Sequence, residues 1–240
     1  MISKNRIRFI KSLQQKKQRI ENQLFVIEGE KMVNEAIQWI PYQIEVIYHT
    51  SEYTINNINN IQFEIVTPKE LQEISTLTTP NKVVAICKQL PVKVLTSDLI
   101  IALDGIQDPG NMGTILRLAD WFGISHVICS LDTVDCYNPK VLQATMGAIF
   151  RVNVDYVDLN EYLKMSTLPI YGALLEGENI FKSNLQTKGV ILLGNEGNGI
   201  KEVNKKHITN PITIPRYGNA ESLNVATAGA IILGSFFQKL

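Results

Sequence analysis

The sequence predicts an α/β fold built on a mostly parallel sheet, and three observations predict it. Short apolar runs that suit buried strands alternate with helix-period segments along most of the chain. Two such runs in the last fifty residues end in punctuated loops, within ILLGNEGNGI (Ile191–Ile200) and IPRYGNAESLN (Ile214–Asn224). A third, Leu99–Leu103, runs into DGIQDPGNMG. Ligands of parallel sheets bind at the carboxyl ends of strands, where glycine lets bare backbone approach a flat group. The loops Asp104–Asn111, Gly194–Gly199 and Pro215–Asn224 all fall there, and the last two suggest a single pocket.

At 240 residues and 45 % hydrophobic content the chain can bury a sizeable core, as one large domain or two small ones. Its net charge is zero, which argues neither for nor against a nucleic-acid partner. The distribution says more. Residues 1–20 hold Lys4, Arg6, Arg8, Lys11, Lys16, Lys17 and Arg19 and no acid. The three cysteines, Cys87, Cys129 and Cys136, contain no CxxC and read as reduced thiols in the cytosol. The start has no apolar signal region, and no apolar run approaches the ~18 residues of a membrane span. The histidines, His49, His126 and His207, lack ligand spacing, so no metal is expected.

Element by element, residues 5–20 read as one amphipathic helix. Ile7, Ile10, Leu13 and Lys17 mark one face, and cations occupy the others. A purely solvated face is the plain reading; cations unrelieved by any acid favour a phosphate-binding one. Strand Leu24–Glu28, helix Gly29–Trp39, strand Ile44–His49, strand Phe63–Thr67, helix Pro68–Ser75 and strand Val83–Lys88 follow. Pro68 suits a first helical turn. Residues 56–60 form a polar loop, and Gln89–Ser97 reads as a linker. The domains predicted are therefore residues 1–92 and 97–240.

After Asp98 the rhythm restarts with strand Leu99–Leu103. A helix then begins near Asn111 or Gly113 and turns Ile115, Leu116, Ala119 and Phe122 inward. Asn111 is a natural N-cap. Arg117 lies two turns in, close to the glycine loop, and reads equally as a solvated charge or a functional one. Strand His126–Cys129, helix Pro139–Gly147, strand Phe150–Val154 with Arg151 at its start, helix Asn160–Met165 and strand Ile170–Leu175 continue the alternation. Leu175–Gln186 is polar. Strand Val190–Leu193, strand Ile212–Ile214 and a small-residue helix starting near Ser222 complete it.

GNEGNG is not a P-loop, because Ile200 and Lys201 follow its last glycine where Lys and Ser/Thr would stand. No GxGxxG opens a helix after the first strand, and no Ser-His-Asp or Cys-His arrangement is readable. Composition and spacing thus lead to a cytosolic α/β protein with a pocket at its strand ends and a candidate nucleic-acid face.

The three loops together resemble the motifs of the SpoU-type (TrmH-like) RNA ribose 2′-O-methyltransferases of the SPOUT superfamily. N-x-G-x-x-x-R is matched by Asn111, Gly113 and Arg117; L-G-N-E-x-x-G by Leu193, Gly194, Asn195, Glu196 and Gly199. The third motif is matched by Ile214, Pro215, Gly218, Glu221, Ser222, Leu223, Asn224, Val225 and Ala228. MGAIFRV (Met146–Val152) is familiar too. FVIEGEKMVNEAI (Phe25–Ile37) resembles the small α/β/α substrate-binding domain, like certain RNA-binding ribosomal proteins, that often precedes such a catalytic domain. Two departures, Arg216–Tyr217 after the proline and Gln143 where many relatives are basic, bear on substrate choice.

The resemblance implies a trefoil knot, a homodimer, and S-adenosylmethionine bound between the knot loops. Its cofactor residues would be Leu174, Leu193, Gly194, Asn195, Glu196, Gly199, Ile214, Pro215, Ser222, Leu223 and Asn224, with Leu193, Ile214 and Leu223 flanking the adenine. Asn111, Arg117, Glu196, Ser222 and Asn224 would be catalytic. Arginine is a poor general base, so Arg117 is expected to orient the ribose 2′-hydroxyl or a phosphate and to stabilise alkoxide charge. Glu196 is expected to pair with Arg117 or fix its loop. Only RNA carries a 2′-hydroxyl; the basic N-terminal residues and Arg117 would hold it, with rRNA favoured over tRNA. Two alternatives stand beside this reading: a non-catalytic RNA-binding protein that keeps the fold, and a nucleotide-dependent enzyme using GNEGNG as a phosphate loop.

Overall fold

The computed structural model describes residues 2–54, 61–79, 81–91 and 97–238. The polar loop at 56–60 and the linker's core at 92–96 lie outside the described residues. The described chain forms two units: Met1–Pro91 with Asp135–Phe150, and Val92–Val134 with Arg151–Leu240. The sequence boundary between 92 and 97 did not anticipate that residues 135–150 pack with the first unit.

The basic N-terminus is two helices, α1 (Lys4–Ser12) and α2 (Lys16–Asn22), and not one. Ser3 caps α1 by accepting from the Arg6 N–H, and Leu13 ends it. Ile10 and Leu13 point inward, into a core with Val46, Tyr48, Leu71, Ile74 and Ile86. The break lets Arg19 of α2 turn into the protein, which a continuous helix would have kept outside.

Strand β1 (Leu24–Glu28), helix α3 (Glu30–Trp39), strands β2 (Ile44–His49) and β3 (Gln62–Ile65), helix α4 (Pro68–Ile74) and strand β4 (Val83–Lys88) follow. Their sheet has the order β1-β4-β2-β3, with only β2 and β3 parallel. A capping box starts α4, Thr67 and Glu70 each accepting from the other's N–H.

The chain continues through β5 (Leu99–Asp104), α5 (Pro109–Trp121), β6 (His126–Ser130), α6 (Pro139–Thr145), β7 (Asn153–Val157), α7 (Leu159–Met165), β8 (Ile170–Asn179), β9 (Gly189–Gly194), α8 (Glu202–Lys205), β10 (Asn210–Thr213) and α9 (Val225–Phe237). The six-stranded sheet runs β10-β8-β9-β5-β6-β7, and every adjacent pair is parallel. That is the mostly parallel α/β architecture the alternation predicts.

In this unit β7 and β8 differ from the sequence reading, and α8 was not foreseen in it. The strand expected at Phe150–Val154 is β7, three residues later. Ala148–Phe150 instead form a 3-10 turn after Met146 and Gly147, which take positive φ. Arg151 therefore starts no strand; it donates to both carboxylate oxygens of Asp120 on α5. Strand β8 runs on to Asn179 through the stretch read as a polar segment. Its pairing with β10 jumps from Pro211↔Gly172 to Ile212↔Glu178. Glycine is required at 177, because a Cβ there would lie 2.8–2.9 Å from the Pro211 and Ile212 backbone.

The register of the central pair positions the site. β5 and β9 align from Leu99↔Gly189 to Asp104↔Gly194, so both strands end level. Helix α9 packs on α5 and β9, with Gly229 set against Leu193 and Leu118. Phe122 and Phe237 stack at 5.2 Å between ring centroids.

Candidate active site

Helix α5 starts one turn earlier than the sequence suggests. Asp108 is its N-cap, accepting from the Asn111 N–H at 2.8 Å, and Pro109 fills the first helical position. The expectation that Asn111 is the cap is thus corrected: Asp108 takes that task and frees the Asn111 side chain. Helix α9 likewise starts at Val225. Asn224, not Ser222, caps it, its Oδ1 accepting from the N–H groups of Ala226 (3.0 Å) and Thr227 (3.2 Å).

Capping fixes which way these amides point. With its Oδ1 occupied by N–H donors, Asn224 has only Nδ2 left to offer. It donates to Asn111 Oδ1 at 2.8 Å. Asn111 Nδ2 in turn donates to Glu196 Oε1 at 2.8 Å. One unbroken chain of hydrogen bonds therefore joins the start of α5, the loop after β9 and the cap of α9. Residues up to 113 positions apart in sequence become one constellation.

The loop after β9 is built from within. Asn195 and Gly199 exchange backbone hydrogen bonds, both 2.9 Å. Asn195 Oδ1 accepts from the N–H groups of Gly197 (2.9 Å) and Asn198 (3.1 Å), and its Nδ2 donates to the Gly105 carbonyl at 2.7 Å. Gly194 must be glycine, since a Cβ would lie 2.3 Å from backbone atoms of Gly199 and Ile200. Gly199 holds φ at +67°.

The remaining predicted residues divide. Leu174 is partly buried against the cluster that holds Val190, Leu192 and Ile200. Ile214 and Pro215 are half-buried and Leu223 is 48 % exposed, as a surface that receives an apolar ring requires. Leu193 is buried against Gly229 and supports the loop from beneath; it does not face outward to flank a ring. Ser222 is exposed. Arg117 is exposed on α5, and Glu196 pairs with Asn111 instead of with it. A polar loop held open by its own side chain, a strand end that excludes Cβ and an apolar rim fit an adenosyl group.

The N-terminal cations divide as well. Lys4, Arg8, Lys11, Lys16 and Lys17 are exposed. Arg6 is half-engaged, donating to Tyr48 Oη (2.8 Å) and Glu45 (3.1 Å). Arg19 is corrected outright. It is 2 % exposed, ion-paired with Asp135 and donating to the Leu13 and Gln14 carbonyls, so no phosphate reaches it. Asp135, far along the sequence, was its unseen partner. Among the described residues no group of His, Cys, Asp and Glu could hold a metal, and no helix is long and apolar enough to cross a membrane.

Residues 98–234 match the SpoU rRNA Methylase family, and residues 4–85 match an MRM3-like substrate binding domain. The chain belongs to the SpoU rRNA methylase family. It is 30 % identical over 228 residues to the Bacillus subtilis 23S rRNA (guanosine(2553)-2'-O)-methyltransferase RlmP, an alignment that covers 93 % of this chain and 92 % of that protein. Its fold matches a TrmH-family protein from Porphyromonas gingivalis with a TM-score of 0.91 and 34 % identity, over 100 % of both chains. An AdoMet-bound rRNA methyltransferase from Sinorhizobium meliloti matches with a TM-score of 0.86 and 26 % identity, over 100 % of this chain and 97 % of the other.

Proposed function

We propose that this protein transfers a methyl group from S-adenosylmethionine to a ribose 2′-hydroxyl of ribosomal RNA. The observation that carries the reading is the Asn224–Asn111–Glu196 chain, which joins the three family motifs at the ends of β5 and β9. S-adenosylmethionine supplies an activated methyl whose sulfonium charge fades as the methyl leaves. Everything else falls to this chain's residues. The backbone of Gly194–Gly199 with Leu174, Ile214, Pro215 and Leu223 holds the adenosyl group in a water-poor cleft, which favours loss of charge. Arg117 stays cationic, orients the 2′-hydroxyl and stabilises charge building on its oxygen, while the hydroxyl proton passes to solvent as the O–CH3 bond forms and the S–CH3 bond breaks. Glu196 and Asn224 fix Asn111 and with it the first turn of α5, while the Ser222 hydroxyl bonds the ribose. Much of the rate comes from holding two reactants in line.

Lys4, Arg8, Lys11, Lys16 and Lys17 attract the RNA backbone, and the N-terminal unit selects a folded substrate. Relatives named for a 23S rRNA guanosine make such a ribose the first to test. A homodimer, a knotted C-terminal path and action in the cytoplasm belong to the same proposal. The test is transfer of labelled methyl from S-adenosylmethionine to rRNA lacking the native modification, followed by nuclease mapping. Label in a 2′-O-methyl nucleotide is expected, and Arg117→Ala should lower kcat by roughly 10²–10³. Tight cofactor binding without label would favour the RNA-binding alternative.

A further inference from the structure

Behind the Asn195–Gly199 loop lies a group of charges that the reaction does not use. Asp104 ends β5 and is completely buried. Its Oδ2 accepts from the Lys201 N–H and from Asn204 Nδ2, both at 2.8 Å. Its Oδ1 accepts no hydrogen bond and lies 3.2 Å from the Lys201 ammonium. Lys201 Nζ also donates to both oxygens of Asp132, each at 2.8 Å. Asp132 accepts from Ser130 Oγ (2.7 Å), which accepts from the Gly105 N–H (2.8 Å). The Gly105 carbonyl takes the Asn195 amide, so the ring of contacts closes on the loop.

Two carboxylates converge here on one ammonium. Without it, the buried Asp104 charge would keep only two neutral donors, the Lys201 N–H and Asn204 Nδ2, with Asp132 nearby, a costly arrangement. Lys201 lies two residues beyond Gly199, so what holds Lys201 holds the end of the loop. Hydrogen bonding to Lys201 keeps the exposed Asp132 carboxyl below the ordinary carboxylate range. Desolvation disfavours the ammonium of the exposed Lys201, yet its hydrogen bonds to Asp132 and its ion pair with Asp104 raise its pKa on balance.

We propose that Lys201 is a positioning residue: by bridging Asp104 and Asp132 it locks the Asn195–Gly199 loop in the shape that receives S-adenosylmethionine. This rests on that loop being the cofactor site, as proposed above. The experiment compares wild type, Lys201→Met and Lys201→Arg by calorimetric titration with S-adenosylmethionine, by steady-state kinetics, and by hydrogen exchange at the Asn195 and Gly199 amides. Lys201→Met should weaken the cofactor about tenfold or more. KM should rise for S-adenosylmethionine and hold for RNA, and exchange should quicken at the two loop amides ahead of those in β6. Lys201→Arg, which can still bridge two carboxylates, should return affinity to within about threefold of wild type.

Wild-type affinity in Lys201→Met, or faster exchange spread evenly over the unit, would overturn the proposal. Should Lys201→Met not fold, Asp132→Asn keeps the Lys201–Asp104 ion pair and should still weaken the cofactor a few-fold; an unchanged Kd there is equally fatal. A wild-type protein that binds no S-adenosylmethionine would sink the cofactor assignment, while loop exchange would still decide whether Lys201 holds the loop.

Discussion

Asn111 has both of its amide atoms committed, one as acceptor from Asn224 and one as donor to Glu196. That double use predicts a steep response to a nearly isosteric change. In Asn111→Asp the new carboxylate can still accept from Asn224, but it sets a negative charge against Glu196 where a donor had been. The constellation should open between α5 and the loop after β9. Because the site is partly exposed, the loss of stability should stay near ~1 kcal/mol, whereas kcat should fall by at least about tenfold if geometry carries the rate. Thermal unfolding and single-turnover kinetics on the same preparation separate the two effects. A kcat equal to wild type would remove Asn111 from the mechanism.

At the scale of elements, the start of α5 shows how a cap serves a site. Asp108 caps the helix by accepting from the Asn111 N–H, so the Asn111 side chain has no capping task and is free to face Glu196. Asp108→Ala should cost about 0.5–2 kcal/mol in urea unfolding, while Asp108→Asn should cost only a small part of that. The Ala variant should also lose activity beyond what stability explains, because fraying of the first turn carries Asn111 with it. Activity that holds at wild-type level in a measurably destabilised Asp108→Ala would show the first turn and the site to be independent. The bidentate Arg151–Asp120 pair secures the far end of the same helix, one turn beyond Arg117.

For the whole molecule, the cations of the N-terminus sort by what surrounds them. Replacing exposed Lys4, Arg8 and Lys11 together by Gln should weaken RNA binding and flatten the slope of log K against log salt by about 2, at roughly 0.7 per phosphate contact. Arg19→Ala should behave in the opposite manner. It leaves the largely buried Asp135 carboxylate without its partner and should cost ~3 kcal/mol of stability, with the salt slope unchanged. Filter binding at several salt concentrations, with urea unfolding alongside, distinguishes a phosphate contact from a structural ion pair. An unchanged slope in the triple variant would move the RNA surface elsewhere.

The sequence by itself determined the alternation of strands and helices, the parallel sheet, the three loops at its carboxyl ends and the family whose motifs they carry. Those features are local. Apolar period, glycine at a strand end and proline in a first turn act over a few residues and can be read one window at a time. Tertiary structure alone decided which polar side chain does which task. Asn111 and Ser222 both qualify as caps by type, and only the fold gives those places to Asp108 and Asn224. Arg19 looks like its neighbours in α1 and α2 until Asp135, 116 positions away, meets it in the interior. Lys201 looks like a solvated lysine until Asp104 and Asp132 converge on it. In each case a hydrogen bond or ion pair forms between groups far apart in sequence, and its partner is unknown until packing brings the elements together.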